Sequence, residues 1–418
     1  LFQAPRGTQD WLPEDQKYIT FLESRIKELA YLFGYGRIDT PVFENSALFI
    51  RTVGVGTDIV EKEMYTFSDF GGSQLTLRPE GTASVCRAYI EHGMASRIQP
   101  VKVYYHAPIF RYERPQAGRF RQHHQFGFEA IGEMDALLDA EVIELAWKLL
   151  CSLGLSNLTL QINSIGCSKC RPAFLSRLRE YYAGDLNKLC QDCKVRIDKN
   201  TLRLLDCKKP ECQLMTEGAP HCAGYLCPEC HEHFERLQSY LSVLNLPFEI
   251  NHRLVRGLDY YSKTVFEIQP EDERGQSTIA GGGRYDGLVG ELSGKHTPAV
   301  GFATGVERII INLKKQNVFV PEIPKPDVYI AWLGDSARQF ALELACWLRQ
   351  KGIATLMAYS AKSLKAQMRQ ADGGGCRYVA ILGEDEVAKK CITLRDLSTA
   401  TQDTITIDAM IEKLSART

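Results

Sequence analysis

Phe-Arg-Tyr-Glu-Arg-Pro-Gln-Ala-Gly-Arg-Phe-Arg-Gln-His-His-Gln-Phe-Gly-Phe-Glu, residues 110–129, is the stretch around which the chain is organised. Tyr104 to Glu113 and Phe120 to Glu129 are rich in aromatic and branched side chains, and Pro115 and Gly118 between them supply turn chemistry, so the pattern predicts a hairpin. Side chains alternate along a strand, which puts Phe110, Tyr112, Phe120, Phe126 and Phe128 on one face and Arg111, Glu113, Arg121, Gln125 and Glu129 on the other. One reading is an edge hairpin with its charged side in water. The other is a ligand floor, because planar guanidinium forks suit phosphate while carboxylates and an amide suit ammonium and ring nitrogen. The neighbouring stretches decide between them.

A chain of 418 residues is long enough for two or three domains and a substantial core. Aromatic and charged fractions of 10% and 24% are those of an ordinary globular protein. The net charge of −1 shows no basic excess, so any polyanion site must be local. No apolar run approaches the roughly 20 residues that cross a bilayer, and Leu1 to Gly7 has no signal-peptide core. The expectation is a cytoplasmic protein without membrane association. Fourteen cysteines in so large a chain are then expected to be reduced, or metal-bound where they cluster.

Ile19, Leu22, Ile26, Leu29 and Phe33 form a helical stripe stopped by Gly34, and Arg37 to Glu44 follows as a predicted strand whose Pro41 places it at an edge or bulge. Such an edge serves for packing or as a dimer seam. The glycine-bearing loop Thr52–Thr57 runs into a predicted strand over 61–67. In Leu77-Arg-Pro-Glu-Gly-Thr-Ala83, Pro79 and Gly81 force a bend before a helix from Ala83 to Glu91. Glu80 and Thr82 sit at that bend, where they either meet an ammonium group or cap the helix.

A helix over Ala136–Leu150 and a strand over Leu158–Ile162 come next. Residues 167–248 hold nine of the fourteen cysteines and little strand pattern, which reads as a mostly helical insertion. Beyond it lie Asn251–Tyr261, a strand over Thr264–Ile268, and Ile279–Leu288, where four glycines surround two charges. Those glycines admit a ligand against the main chain or form a surface loop tied in at its ends. Ala299–Ile309 passes from strand through Gly305 into a helix carrying Arg308, a cation near the wrong end of a helix unless an anion sits there. After the proline-rich connector ending at Pro326, short apolar strands (Val328–Trp332, Thr355–Ala358, Tyr378–Leu382, Ile392–Arg395) alternate with amphipathic helices (Ala337–Lys351, Ser363–Asp372, Asp408–Leu414). This is a separate small α/β domain.

Taken together, these stretches resemble the class II aminoacyl-tRNA synthetases, specifically the histidyl-tRNA synthetase family. The helix and Pro41 strand are similar to the first, dimer-forming class II motif, residues 110–129 to the second, and Gly301–Arg308 to the third. Arg256-Gly-Leu-Asp-Tyr-Tyr261 and Ala280–Leu288 match signatures of the histidine-specific family. The resemblance covers nearly the whole chain and implies an α+β catalytic domain over 1–320, an antiparallel sheet flanked by helices and interrupted by the 167–248 insertion. A C-terminal α/β domain with a mixed sheet, 327–418, would read the anticodon.

The implied activity is ATP-dependent conversion of L-histidine to its adenylate, followed by transfer to the 3′ end of tRNA(His), in a homodimer. Arg111, Glu113 and Arg308 are implied to hold ATP, with Mg²⁺ on its β and γ phosphates. Glu80, Gly81, Thr82, Arg111, Gln125, Glu129, Arg256, Tyr260 and Tyr261 are implied to surround histidine. Arg111 and Arg256 are the expected catalytic pair on the α-phosphate. Gln116, Arg119 and Arg121 would face the tRNA acceptor end, where amide and guanidinium groups suit base edges and phosphates.

Cys167-x-x-Cys170 and Cys190-x-x-Cys193 have the spacing of a four-thiolate zinc site; the alternative is buried free thiols. Two other function classes share the fold: a regulatory subunit of ATP phosphoribosyltransferase type, which lacks aminoacylation, and a tRNA-sensing domain. The C-terminal domain and the complete arginine set argue against both.

Overall fold

The computed structural model describes residues 2–54, 56–114, 118–271 and 278–415. The chain divides into two compact units, Leu1–Pro321 and Glu322–Thr418. The larger is built on an eight-stranded sheet. Its strands lie in the order Gly36–Arg37, Val101–Phe110, Gln122–Ile131, Ala299–Gly305, Ala280–Arg284, Ser262–Pro270, Leu158–Ser164, Glu249–Ile250. The inner pairs are antiparallel, and the short edge strands run parallel to their neighbours.

Alternation along these strands makes two faces. Tyr104, Phe126, Phe128 and Phe302 point into a core shared with the helices Gln16–Phe33, Ala136–Ser152 and Val306–Lys315. Phe128 is its centre, stacked on Tyr104 and Phe302 with ring centroids 5.5 and 5.1 Å away. Tyr105, Ala107 and Ile109 point the other way, into a cluster with Phe174, Leu178 and Tyr182 of the insertion. The three long helices cover the first face, and the second, packed in part by the insertion, keeps room for a ligand.

The hairpin strands are Val101–Phe110 and Gln122–Ile131, shifted from the expected spans, so Arg111, Glu113 and Arg121 lie beyond the paired region. The parity count holds for Gln125, Phe126, Phe128 and Glu129 and lapses outside it: Phe120, expected on the apolar face, lines a cavity. Arg37–Glu44 is not one strand. Gly36–Arg37 pairs with the main sheet, Phe43–Asn45 joins a separate three-stranded sheet, and Pro41 lies between, where a residue without an N–H costs no ladder bond. Of residues 61–67, only Tyr65 onward is strand; Ile59–Glu63 is a helical turn. Ile279–Leu288 is not a surface loop, since Ala280–Arg284 is a buried central strand. Three consecutive glycines carry no side-chain period, so alternation cannot reveal such a strand.

Arg284 is fully buried. It donates to Asp139 and the Glu133 carbonyl, and its Nε lies 3.0 Å from Asp286 Oδ1. Asp139 also accepts from Thr264 Oγ1 at 2.6 Å and His233 Nε2 at 2.8 Å. His233 belongs to Pro228–Val243, the last helix of the 167–248 segment, and Phe234, Leu237 and Leu241 of that helix enter the main core. The network therefore ties the insertion to the sheet. Arg284→Met leaves Asp139 and Asp286 without their cation and is expected to cost about 3–5 kcal/mol, read from urea unfolding. A loss below about 1 kcal/mol, the range of an exposed pair, would show that the network carries no structural role.

The smaller unit has a five-stranded mixed sheet, Thr355–Met357, Val328–Trp332, Tyr378–Leu382, Cys391–Asp396, Gln402–Thr406, with the first three parallel and the last two antiparallel. The last strand was not anticipated, because Gln-Asp-Thr-Ile-Thr is largely exposed and has no apolar run.

Candidate functional site

Two cavities adjoin on the sheet face opposite the helices, one of about 180 Å³ and one of about 710 Å³. The floor follows from register. Tyr105, Gly127, Ala303, Gly281 and Glu267 are successive partners across five strands, and Glu129, Gly301 and Gly283 form the next row. Glycine and alanine in the middle of both rows leave a trough, with Tyr105 on one side and Glu267 on the other. A Cβ on Gly301 would overlap the Glu129 carboxylate, and one on Gly281 would lie 2.6 Å from Arg256 Nη1. Gly281→Ala is therefore expected to displace that guanidinium and lower turnover about 100-fold while the fold persists. An unchanged rate with a native melting profile would show that this close approach is irrelevant.

All nine residues expected around histidine line the smaller cavity. Glu80 caps the helix Thr82–Glu91, accepting from the backbone N–H of Thr82 at 2.7 Å and Ala83 at 2.8 Å. The Thr82 hydroxyl is thereby free of capping duty and donates to Glu129 at 2.7 Å. Glu129 also accepts from the Tyr285 hydroxyl. Burial pushes its carboxyl up to about 8, against the pull of those two hydroxyls. Burial likewise raises Glu80, Tyr105, Tyr260 and Tyr261. The pocket is thus aromatic and acidic at its buried side, with room for one small amphipathic molecule carrying donors.

The larger cavity is lined by charges of both signs, eight cationic side chains and seven carboxylates. Arg111, Glu113 and Arg308, expected to hold ATP, all line it, together with Arg119 and Arg256. Arg111 Nε donates to the Pro79 carbonyl at 2.7 Å, and Arg308 Nη1 to the Thr278 carbonyl at 2.7 Å, contacts that aim both side chains without neutralising them. Burial, then Arg119, pulls Arg308 below its ordinary range. Burial and Arg111 likewise depress His123 to about 3, so it lines the cavity as neutral imidazole. The cluster of Arg308 with Arg119 and Arg111 suits a multiply charged anion at that end of the cavity. Burial works against the charge of Arg256, but Glu267 and the adjacent tyrosines hold its pKa raised; its Nε finds no partner among the described residues. Arg111, Gln125 and Arg256 border both cavities, so the junction is where two ligands would meet.

Of the residues expected at the acceptor end, Arg119 lines the larger cavity and pairs with Glu113 at 3.1 Å. Arg121 lines neither cavity; its guanidinium lies 3.8 Å from the Tyr112 ring centroid. Gln116 falls outside the described residues. Sequence reasoning missed Tyr105, Tyr285 and Glu267. Tyr285 lay inside a quoted motif, whereas Tyr105 and Glu267 become visible only through register.

The proposed zinc set is corrected. Cys167 and Cys170 gather with Cys227 and Cys230, whereas Cys190 and Cys193 gather with Cys207 and Cys212. The Cys190/Cys193 pair joins the pair that follows it, while Cys167/Cys170 reaches past both to Cys227/Cys230, because the helices between return the chain to its starting point.

Comparison with known proteins places these features in a family. The histidyl-tRNA synthetase family model matches residues 7–309, and an anticodon-binding domain model matches 327–417. A histidine–tRNA ligase of Dehalococcoides mccartyi is 59% identical over 98% of both chains, and one of Desulforamulus reducens is 47% identical over the full length of both. The crystal structure of apo histidyl-tRNA synthetase from S. aureus, 35% identical, superimposes with a TM-score of 0.83, covering 99% of this chain and 100% of that one.

Proposed function

This chain belongs to the histidyl-tRNA synthetase family, and on that premise we propose that histidine occupies the smaller cavity and ATP the larger. The reaction is that of a histidine–tRNA ligase: ATP activates histidine, which is then transferred to tRNA. One observation carries the assignment of parts, namely that Arg111 and Arg256 border both cavities. The histidine carboxylate attacks the α-phosphorus, the bond to pyrophosphate breaks, and negative charge gathers where the guanidinium groups converge. Catalysis of such a step is chiefly positioning and electrostatic stabilisation.

Glu129 and Tyr261 face the imidazole, and Glu80, Thr82 and Gln125 the ammonium end. Arg308 takes the terminal phosphate and Glu113 the nucleotide. Mg²⁺ arrives with ATP and neutralises its β and γ phosphates; Glu113 and Glu267 are carboxylates on that cavity wall suited to its water ligands. Arg119 meets the acceptor end, a role its position on the cavity wall supports, and the C-terminal unit reads the anticodon, supported by its family match. Exposed Tyr31, Leu32, Val42 and Phe43, in and beside the first class II motif, support a homodimer formed there. No helix among the described residues is long and apolar enough to cross a membrane; we place the enzyme in the cytoplasm, where tRNA charging serves translation.

Exchange of labelled pyrophosphate into ATP tests the reading. Exchange is expected only when histidine is present. Binding of tRNA or ATP with no histidine-dependent exchange would instead identify a regulatory or sensing relative.

A further inference from the structure

The cysteines of the insertion form two separate quartets, in each of which the sulfur atoms all lie within 4.8 Å of one another. In the first, Cys167 Sγ is 3.7 Å from Cys170 and 3.9 Å from Cys227, and Cys170 is 3.8 Å from Cys230. In the second, Cys190 and Cys207 are 3.8 Å apart. Four sulfurs at about 2.3 Å from a tetrahedral zinc are about 3.8 Å from each other, whereas a disulfide holds its sulfurs at about 2.05 Å. The spacings agree with structural zinc: C-x₂-C twice in the outer set, and C-x₂-C with C-x₄-C in the inner. Backbone N–H groups already point at sulfur, from Cys167 to Cys170 at 3.2 Å and from Cys190 to Cys212 at 3.3 Å, as thiolate ligands require. Cys222, equally buried in the same segment, belongs to neither set. Apolar packing alone explains one buried thiol, not two quartets at tetrahedral separation.

The quartets are nested. The outer one joins the start of the insertion to its last helix, and the inner one pins the chain between. Each would bind one Zn²⁺ and release four thiol protons. The inner set holds helix Gln191–Lys199, after which Arg203 reaches Asp58 at 2.7 Å and Asn200 reaches Asp259 at 2.6 Å. Asp58 precedes the turn that brings Glu63 to the larger cavity, and Cys207, Lys208 and Lys209 line that cavity themselves.

We propose that residues 167–230 hold two four-thiolate zinc centres, and that the inner centre fixes one wall of the larger cavity. The wall assignment rests on ATP occupying that cavity; the metal assignment does not. Elemental analysis and zinc X-ray absorption on the purified full chain are expected to give about two zinc per chain, each bound by four sulfurs at about 2.3 Å. Cys193→Ser or Cys212→Ser should lose one equivalent and Cys170→Ser or Cys230→Ser the other, while Cys151→Ser, outside both sets, keeps two. In pyrophosphate exchange, Cys193→Ser should raise KM for ATP about tenfold while KM for histidine stays within about twofold. Zinc-free protein, iron in its place, or disulfides revealed by intact mass would overturn the metal assignment, and the wild-type measurements decide it even if the variants fail to fold. Equal changes in both KM values would overturn the wall assignment. Absence of wild-type exchange would defeat the ligase reading and leave the zinc count standing.

Discussion

Glu129→Gln is expected to lower kcat/KM for histidine by about 100-fold or more while KM for ATP stays within about threefold. The carboxyl is buried in the wall of the smaller cavity, where Thr82 and Tyr285 hold it in place. On the proposed assignment, an imidazole bound there would meet a carboxyl able to exchange a proton with a ring nitrogen, and an amide cannot make that exchange. Steady-state exchange kinetics in each substrate separately check this; equal losses for histidine and ATP would remove Glu129 from the histidine pocket. Stability should shift in the opposite direction. Burial holds the folded carboxyl near 8, above its ordinary value of 4.5. Between those values the folded chain keeps a proton that the unfolded chain has released, so this group makes stability fall as pH rises through that window and level off above it. Glutamine has no such dependence. Relative to the parent, the variant should therefore gain thermal stability from pH 5.5 to pH 8.5, by an amount on the order of a few kcal/mol at most. Parallel melting curves at both pH values would show that the carboxyl titrates normally.

Arg256→Ala is expected to lower the exchange rate at saturating substrates by about 1,000-fold, the scale of losing a preorganised donor to a charged transition state. Its guanidinium contacts Glu267, lies 5.5 Å from the Tyr261 ring centroid and borders both cavities. Removing it also leaves Glu267, among the described residues, with the Thr278 hydroxyl at 2.7 Å. The double variant Arg256→Ala/Glu267→Gln separates the two effects: stability should recover and the rate should not. Recovery of the rate would make Arg256 a structural counter-ion to Glu267. Arg111→Ala should cause a comparable loss. The double arginine variant should fall little further, because both groups serve one charge.

Much of the site was legible in the chain because its residues sit in short motifs whose turn and glycine chemistry is local. The Pro79 and Gly81 bend exposes Glu80 and Thr82, the hairpin alternation sets Gln125 and Glu129 on one face, and Arg308 stands near a helix start. The resemblance of those motifs to a known family supplied Arg256, Tyr260 and Tyr261, and the family comparisons agree on what kind of enzyme this is. Reading failed where local pattern is silent. Arg121 shares the parity of Gln125 but lies beyond the last paired residue, so alternation no longer governs its direction.

The order of residues by itself determined the small α/β unit beyond the proline connector and the chemistry of each motif, since periodicity, turns and side-chain type are properties of neighbours; the fold class of the larger unit came from the resemblance of its motifs to a known family. Tertiary structure alone decided that Tyr105, Gly127, Ala303, Gly281 and Glu267 form one row, that Glu80 rather than Thr82 caps its helix, and which cysteine pairs meet. Each depends on the register between strands or on the path of intervening helices. Contacts between residues far apart along the chain exist only once the whole core has closed.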